Sequence, residues 1–193
     1  METQLKAFYR TPQGVKFVNL FGYATKGVPS LEINGVGRLS KNIKEKIIYL
    51  TRIRKLAIPL RRFVVCVDIN ELQDQSIESL RWLEFPLLLM YWHLSGLIPI
   101  AKLDNCLCSG WLNANGEIHH MYPPRNLGDL MKRSFNLNEI NSLKFLSFSN
   151  GGTSQIDMID SKLLLEHIPN LVFKYDMNQM DRSSAIPTNS FIA

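Results

Sequence analysis

The sequence predicts a fold that mixes β-strands with α-helices, and the clearest pattern lies between residues 27 and 69. A turn and a short alternating strand, Leu31-Glu32-Ile33, lead through a glycine-bearing turn into a basic segment. Residues 63–69 are apolar and rich in β-branched side chains, as expected of a strand covered on both faces. Four apolar residues of the basic segment recur at helical spacing and are predicted to face the core: Ile43, Ile47, Leu50 and Ile53. We therefore expect a strand–helix–strand unit around which the chain is organised.

Turn-forming residues mark the boundaries of this unit. Asn34, Gly35 and Gly37 supply the backbone freedom that a sharp passage from strand to helix needs. Ser40 is predicted to be the N-cap of the helix, because its hydroxyl can accept a hydrogen bond from a free amide of the first turn. Pro59 is expected to end the helical segment, since proline lacks the N–H that a helix interior requires.

Two other segments on either side of this unit also have strong patterns. Residues 7–10 and 15–23 read as two short strands joined by a turn over residues 11–14. Residues 82–95 are too densely apolar for a surface helix, so we predict a helix buried on most sides and ended by Gly96. Within that helix, His93 is expected to be a hydrogen-bonded core histidine.

The second half of the chain continues the mixed pattern. Asn115-Gly116 is the strongest hairpin signal, with strands expected over residues 106–113 and 117–121. The remaining predicted elements are a helix over 126–135, a strand over 143–149, a helix over 156–168 and a short strand over 171–175. We expect residues 1–175 to form one domain and residues 176–193 to form a polar, flexible tail.

Composition narrows the class of protein. The chain has 193 residues, 46% of them hydrophobic and 20% charged, which is ordinary for a soluble globular protein. Its longest apolar run, residues 85–94, is far shorter than the ~20 residues that cross a bilayer, so no membrane association is predicted. Three cysteines do not make a disulfide framework and no signal peptide is visible, which favours a cytoplasmic location.

Positive charge is concentrated in the central unit. The segment 41–62 holds eight Lys or Arg residues against one acidic residue, Glu45, so it carries +7 while the rest of the chain carries −2. Such a segment fits either contact with phosphate or an acidic partner, or a solvated helix face that keeps the protein soluble. The candidate residues for weak, sequence-tolerant nucleic-acid binding or for partner binding are Lys41, Lys44, Arg52, Lys55, Arg61 and Arg62.

The order of these elements resembles the N-terminal domain of the Mg-chelatase-related (ChlI-like, ComM/YifB) family. The residues that carry the resemblance are Gly27-Val28-Pro29-Ser30, Asn34-Gly35-Val36-Gly37, the strand end Val67-Asp68-Ile69-Asn70-Glu71-Leu72 and the hairpin CSGWLNANGEI. The resemblance implies an α+β, Lon-protease-domain-like fold with a mixed sheet, βαβ crossovers and helices packed on one side. In that family the domain precedes an AAA+ ATPase module, so an AAA+ partner or a homo-oligomer is expected.

Catalytic signatures are missing from the places where the resemblance would put them. The chain contains no Gly-x-x-x-x-Gly-Lys-Ser/Thr loop to hold phosphates. Where a Lon-type enzyme has its serine segment this chain has residues 73–79, with Ser76 and Ser79 but without the small residues around them. The matching lysine position falls near Arg125, which stays protonated and cannot serve as a base. We therefore predict no catalytic residues and no cofactor.

A metal site is the remaining chemical alternative. Cys106 and Cys108 alternate on a predicted strand and face His119 and His120 across the predicted hairpin, but only one of two adjacent histidines could join them. Buried cysteines are the simpler interpretation, and no metal site is predicted. The function that follows is a non-catalytic accessory or interaction domain, associated with an AAA+ ATPase or with nucleic acid. The alternative is a degenerate Ser-Lys hydrolase or a truncated subunit of an AAA+ ATPase.

Overall fold

The computed structural model describes residues 1–68, 76–122, 124, 126–147 and 157–175. In these residues the larger of two β-sheets contains β1 (Glu2–Thr11), β2 (Gly14–Thr25), β3 (Ser30–Asn34), β4 (Arg62–Val67), β5 (Cys106–Cys108), β8 (Lys144–Ser147) and β9 (Asp157–Asp160). The smaller sheet contains β6 (Gly110–Leu112), β7 (Glu117–His120) and β10 (Val172–Tyr175). The helices are α1 (Leu39–Ile53), α2 (Ile77–Leu80), α3 (Glu84–Leu94), α4 (Leu127–Ser134), α5 (Leu137–Ser142) and α6 (Ser161–Leu164), with a 3₁₀ turn over Arg81–Leu83.

The larger sheet is mixed and has the strand order β3-β4-β2-β1-β5-β8-β9. Strands β1, β2 and β4 form antiparallel neighbours, whereas β5, β8 and β9 continue the sheet in parallel from β1. Strands β3 and β4 are parallel neighbours, with Ser30 opposite Arg62, and α1 is the crossover between them. The predicted strand–helix–strand unit and the mixed α+β class are therefore confirmed.

Helices α1 and α3 cover one face of this sheet. All eleven residues of α3 are buried, as the dense apolar run predicted. Gly22 of β2 lets α3 approach, because a Cβ there would lie 3.2 Å from the side chains of Met90 and Leu94. The Trp92 Nε1–H donates to Thr51 Oγ1 over 3.1 Å, which ties α3 to α1 through a buried hydrogen bond.

The α4–α5 segment lies on the opposite face, so the prediction that the helices pack on one side is wrong for this pair. Phe8 and Phe17 are directly opposite each other on β1 and β2, facing away from α3. The Phe135 ring, between α4 and α5, lies 5.0 Å from the Phe17 ring. Lys6 reaches Glu139 on α5 over 3.3 Å. The apolar and charged contacts of this pair therefore bring it to the second face of the sheet.

Two details of α1 differ from the sequence-based predictions. The helix begins at Leu39, so Ser40 lies inside it and is not the N-cap. The reason is a tight approach turn, in which Ser40 N–H donates to the Gly37 carbonyl. Ile53 is 41% exposed, although it was expected to face inward. The predicted stripe takes two successive steps of three residues, from Ile47 to Leu50 and from Leu50 to Ile53, and three residues are less than one helical turn of 3.6 residues. Ile53 is therefore rotated away from the core, and Thr51, four residues after Ile47, is buried instead.

The second half of the chain departs furthest from its pattern. Residues 110–112 and 117–120 form the hairpin, but Cys106–Cys108 leaves it and pairs in the larger sheet between β1 and β8. The helix predicted over 156–168 is confirmed only for α6, at Ser161–Leu164, and is wrong before it, where β9 occupies 157–160. Asp160 caps α6 by accepting from Lys162 N–H over 2.8 Å. Residues 69–75, 148–156 and 176–193, including the predicted tail, lie outside the described residues.

Other predictions agree with the structure. The strands at the N-terminus are present and longer than expected, and β10 lies where a last strand was predicted. His93 is buried and its Nε2 lies 3.1 Å from the Ile100 carbonyl oxygen, which confirms a hydrogen-bonded core histidine. Among the described residues, no helix combines the length and the apolar composition that crossing a bilayer requires.

Candidate partner-binding surface

Three of the eight cations between residues 41 and 62 are held by contacts inside the protein. Lys46 reaches Glu84, and Arg62 reaches Glu32. The Arg54 Nη2–H donates to the carbonyl oxygen of Asn115 over 2.8 Å, in the turn of the β6–β7 hairpin. The basic segment is therefore partly a set of structural anchors.

The Lys46–Glu84 pair joins three elements at the edge of the core. The Lys46 ammonium lies 2.7 Å from both carboxylate oxygens of Glu84, whose side chain is only 4% exposed. Lys46 also donates to the Leu112 carbonyl over 3.0 Å, and Leu112 N–H donates to Glu84 over 2.8 Å. Since α1, α3 and β6 each contribute a group, this pair fixes the smaller sheet against the helices.

The Arg62–Glu32 pair lies on the face of the sheet opposite α1, on the neighbouring strands β4 and β3. Two parallel N–H donors of the guanidinium reach the carboxylate over 2.7 and 2.9 Å. The Arg62 hydrogen bond lowers the pKa of Glu32, and the charges of Arg62 and Lys44 add to this effect, while burial opposes it. Arg62 was a predicted binding residue, but its charge is already matched by Glu32.

The six predicted binding residues do not form one patch. Lys41 and Lys44 lie near the start of α1, whereas Arg52 and Lys55 lie at its end. At 1.5 Å per helical residue, Lys41 and Arg52 are separated by about 16 Å along the helix axis. The cations therefore divide into two groups at opposite ends of the strand–helix–strand unit, and only three of them belong to the group described next: Arg52, Lys55 and Arg61.

One end of the unit combines these cations with exposed aliphatic side chains. Strand β3 is parallel to β4, and α1 returns the chain between them, so the end of α1 lies at the edge where both strands begin. Thr25, opposite Arg62, places Lys26 at the same edge. We call this surface the basic corner; it consists of Lys26, Val28, Arg52, Lys55, Leu60 and Arg61.

A tight turn holds Leu60 outward, and Val28 lies in the bend that precedes β3. Arg61 N–H donates to the Pro59 carbonyl over 2.8 Å, a bond that closes a three-residue turn around Leu60 and leaves its side chain 82% exposed. Ser30 N–H donates to the Arg61 carbonyl over 3.2 Å, which anchors this turn to the start of β3. Val28, in that bend, is 83% exposed.

Sequence reasoning selected three of the four cations of the basic corner, Arg52, Lys55 and Arg61, but missed Lys26 and both aliphatic residues, Val28 and Leu60. A usable signal was present, because each aliphatic residue adjoins a turn proline, Pro29 or Pro59, and has a cation within two residues. A proline turn places its neighbours at the surface, where an aliphatic side chain has no core to enter.

The groups considered for catalysis are engaged in structural roles or lie outside the described residues. The Ser76 hydroxyl caps α2 by accepting from Ser79 N–H over 3.2 Å, and the two hydroxyls lie 3.0 Å apart. Arg125 and residues 73–75 lie outside the described part of the chain. Ser76 is thus the N-cap of α2.

The residues considered for a metal site are separated by the fold. Burial raises the pKa of Cys106 to about 11 and that of Cys108 well above its ordinary value, which favours uncharged thiols. The His120 ring packs edge-on against the Phe85 ring, with centroids 4.9 Å apart, and burial lowers the pKa of His120 to about 3. His119 instead stacks on Trp111 with ring centroids 3.8 Å apart. No group of three or more metal-ligating side chains occurs in the residues that the structure describes.

Comparison with known proteins adds no assignment. No protein-family model and no curated protein matches the chain. The basic corner is therefore supported by its geometry and charge alone.

Proposed function

We propose that this chain is a non-catalytic interaction domain that binds an anionic partner through the basic corner. The observation that carries the proposal is the state of its four cations. Lys26, Arg52, Lys55 and Arg61 are exposed, and none forms an ion pair with a described residue. Like charges held together without a counter-ion attract an anionic ligand and steer its approach.

The architecture supports the further proposal that the domain is Lon-protease-like and related to the N-terminal domain of the Mg-chelatase-related family. The resemblance implied a short strand, a basic helix and a buried strand in a mixed sheet, and β3, α1 and β4 have that order and pairing. In this proposal the partner is an AAA+ ATPase module, a second copy of the chain or a nucleic acid, and the domain contributes binding rather than chemistry.

The test is a binding titration across a salt series with two labelled probes, a duplex DNA and a polyglutamate peptide. Wild type should bind at least one of them, and raising the salt should weaken the binding. For duplex DNA we expect a Kd of ~10⁻⁴–10⁻⁶ M and a log–log slope of roughly −0.9 for each phosphate contacted. In the double variant Arg52→Glu with Lys55→Glu, the affinity and the slope should both fall.

The matched control places the same charge reversal at the other end of α1, in Lys41→Glu with Lys44→Glu, and should bind almost as wild type does. Equal losses in both variants would show that only net charge matters. Failure of wild type to bind either probe, or an unchanged slope in Arg52→Glu with Lys55→Glu, would overturn the proposed function. The same preparation should neither cleave casein nor hydrolyse ATP, and any activity abolished by Ser76→Ala would contradict the non-catalytic role.

A further inference from the structure

We propose that the occupant of the basic corner is an acidic protein segment that carries aliphatic side chains, rather than a nucleic acid. The inference rests on the proposed function, since it names the class of partner that the same surface takes. It depends on Val28 and Leu60, which pack against none of the core among the described residues: each is more than four-fifths exposed, and each adjoins a proline, Pro29 or Pro59.

The turn that carries Leu60 is held in place before any partner arrives, and Val28 lies two residues before its anchor, Ser30. The Pro59–Arg61 turn is closed by its own hydrogen bond and anchored to Ser30, at the first position of β3. Because Ser30 and Arg62 are partners in adjacent parallel strands, the turns that precede them emerge side by side at one edge of the sheet. A preorganised apolar centre binds at a lower entropic cost than one that must first be ordered.

The arrangement matches the anatomy of a protein interface. Such interfaces have an apolar centre depleted in charge and a polar rim, and arginine is enriched in them. Here Val28 and Leu60 form the centre, Lys26 lies two residues before Val28, and Arg61 directly follows Leu60. A partner with leucine-like side chains between carboxylates would satisfy both parts of the surface.

Three other occupants fit less well. Nucleic acid is bound through phosphate contacts and through aromatic side chains on which bases stack, and the basic corner has no aromatic residue. A second copy placed by two-fold symmetry would set these cations against their equivalents. Two single aliphatic residues give too little apolar surface for a membrane anchor, which needs a helix face or an acyl chain.

The experiment compares labelled peptides that differ only in their apolar residues. The first is a short peptide that repeats Glu-Leu-Asp-Leu, and the second repeats Glu-Ser-Asp-Ser with the same charge. Wild-type protein should bind the leucine peptide roughly tenfold more tightly than the serine peptide. The double variant Val28→Ser with Leu60→Ser should lose that preference while keeping its affinity for the serine peptide.

The matched control is Leu137→Ser, which removes a side chain that is 71% exposed on α5 and should leave the preference intact. Thermal melts of all variants should coincide, because none of these side chains is buried. Equal binding of the two peptides by wild type, or an unchanged preference in the double variant, would overturn the inference. Duplex DNA and anionic phosphatidylserine vesicles are added in turn as competitors of the leucine peptide. If Val28→Ser with Leu60→Ser weakens the binding of such a competitor as much as it weakens the binding of the leucine peptide, the inference is overturned as well.

The two proposals fail in different ways. If Arg52→Glu with Lys55→Glu abolishes binding of the serine peptide but the leucines add nothing, the proposed function stands and the inference is wrong. If neither peptide nor DNA binds wild-type protein, both are wrong. If the leucine preference is present and depends on Val28 and Leu60, both are supported by independent contacts.

Discussion

Two carboxylates each hold one cation of the same basic segment, and their surroundings are opposite. Glu84 is 4% exposed at its side chain and receives Lys46 and a backbone N–H, with Arg81 3.9 Å away. Glu32 is 41% exposed and receives two hydrogen bonds from Arg62. The Arg62 pair has the better geometry, with two parallel hydrogen bonds. Burial, however, decides what removal of a partner costs, because an unpaired charge at Glu32 returns to water and one at Glu84 does not.

The largest effect should come from Lys46→Met. This change removes the ammonium that lies 2.7 Å from the buried Glu84 carboxylate and leaves only the Arg81 Nε, 3.9 Å away, as its cation. Removing one partner of a buried ion pair typically costs about 3–5 kcal/mol, and because Arg81 remains we expect the lower end of that range. Urea denaturation should show the loss as a lower midpoint. Combining Lys46→Met with Glu84→Gln should recover much of it, because the amide oxygen can still accept from Leu112 N–H without carrying charge.

The matched control for that measurement is Lys41→Met, at an exposed position of the same helix. It should unfold close to the wild-type midpoint. If Lys46→Met were as mild as Lys41→Met, the buried pair would not stabilise the junction of α1, α3 and β6.

A slightly smaller and purely apolar effect is expected for Ile47→Ala. Ile47 is fully buried beside Lys46, and emptying such a site costs about 2–5 kcal/mol. Ile53→Ala, at the exposed end of the same stripe, should cost much less and serves as the control. Equal unfolding midpoints for the two variants would contradict the observed rotation of the helix.

Glu117 is a surface carboxylate with several partners, and its titration sharpens the comparison. Hydrogen bonds from Lys174, Asn113 and His119 lower its pKa from 4.5 to about 2, with Lys174 the largest cause. A lowered pKa means that the carboxylate stabilises the fold above its ordinary pKa, and that this stabilisation is lost as the pH falls towards about 2. NMR titration should show the Glu117 midpoint rising in Lys174→Gln, and a wild-type midpoint near 4.5 would contradict the contact.

The smallest effect should come from Arg62→Ala. Its partner Glu32 is exposed, so the variant should unfold near the wild-type midpoint, and any difference should shrink at high salt. The pKa of Glu32 should rise towards its ordinary value, because Arg62 is the largest cause of its lowering. The stabilising part of this pair is present above that ordinary value and disappears on acidification. An Arg62→Ala loss as large as that of Lys46→Met would invalidate the contrast between the two pairs.

Local patterns predicted much of the fold. The apolar period of α1, the dense run of α3 and the turn residues around 11–14 and 115–116 identified elements whose signals lie within a few residues of one another. The failures occurred where pairing partners are distant. Residues 106–108 were predicted to belong to a hairpin, but they pair with β1 and β8 in the larger sheet. Residues 157–160 were predicted to be helical, but they form a strand that pairs with β8.

The candidate surface was predicted in its charge but not in its geometry. Sequence alone determined that residues 41–62 are strongly basic and that a helix followed by a proline corner carries them. Only the tertiary structure decided that Lys46 lies against the carboxylate of Glu84, 38 residues away, and that Arg62 on β4 pairs with Glu32 on β3. It also decided that Arg61 and Val28 lie at the same end of these two strands. The physical reason is that composition and period act locally, whereas burial and ion pairing depend on which strands become neighbours and in which register.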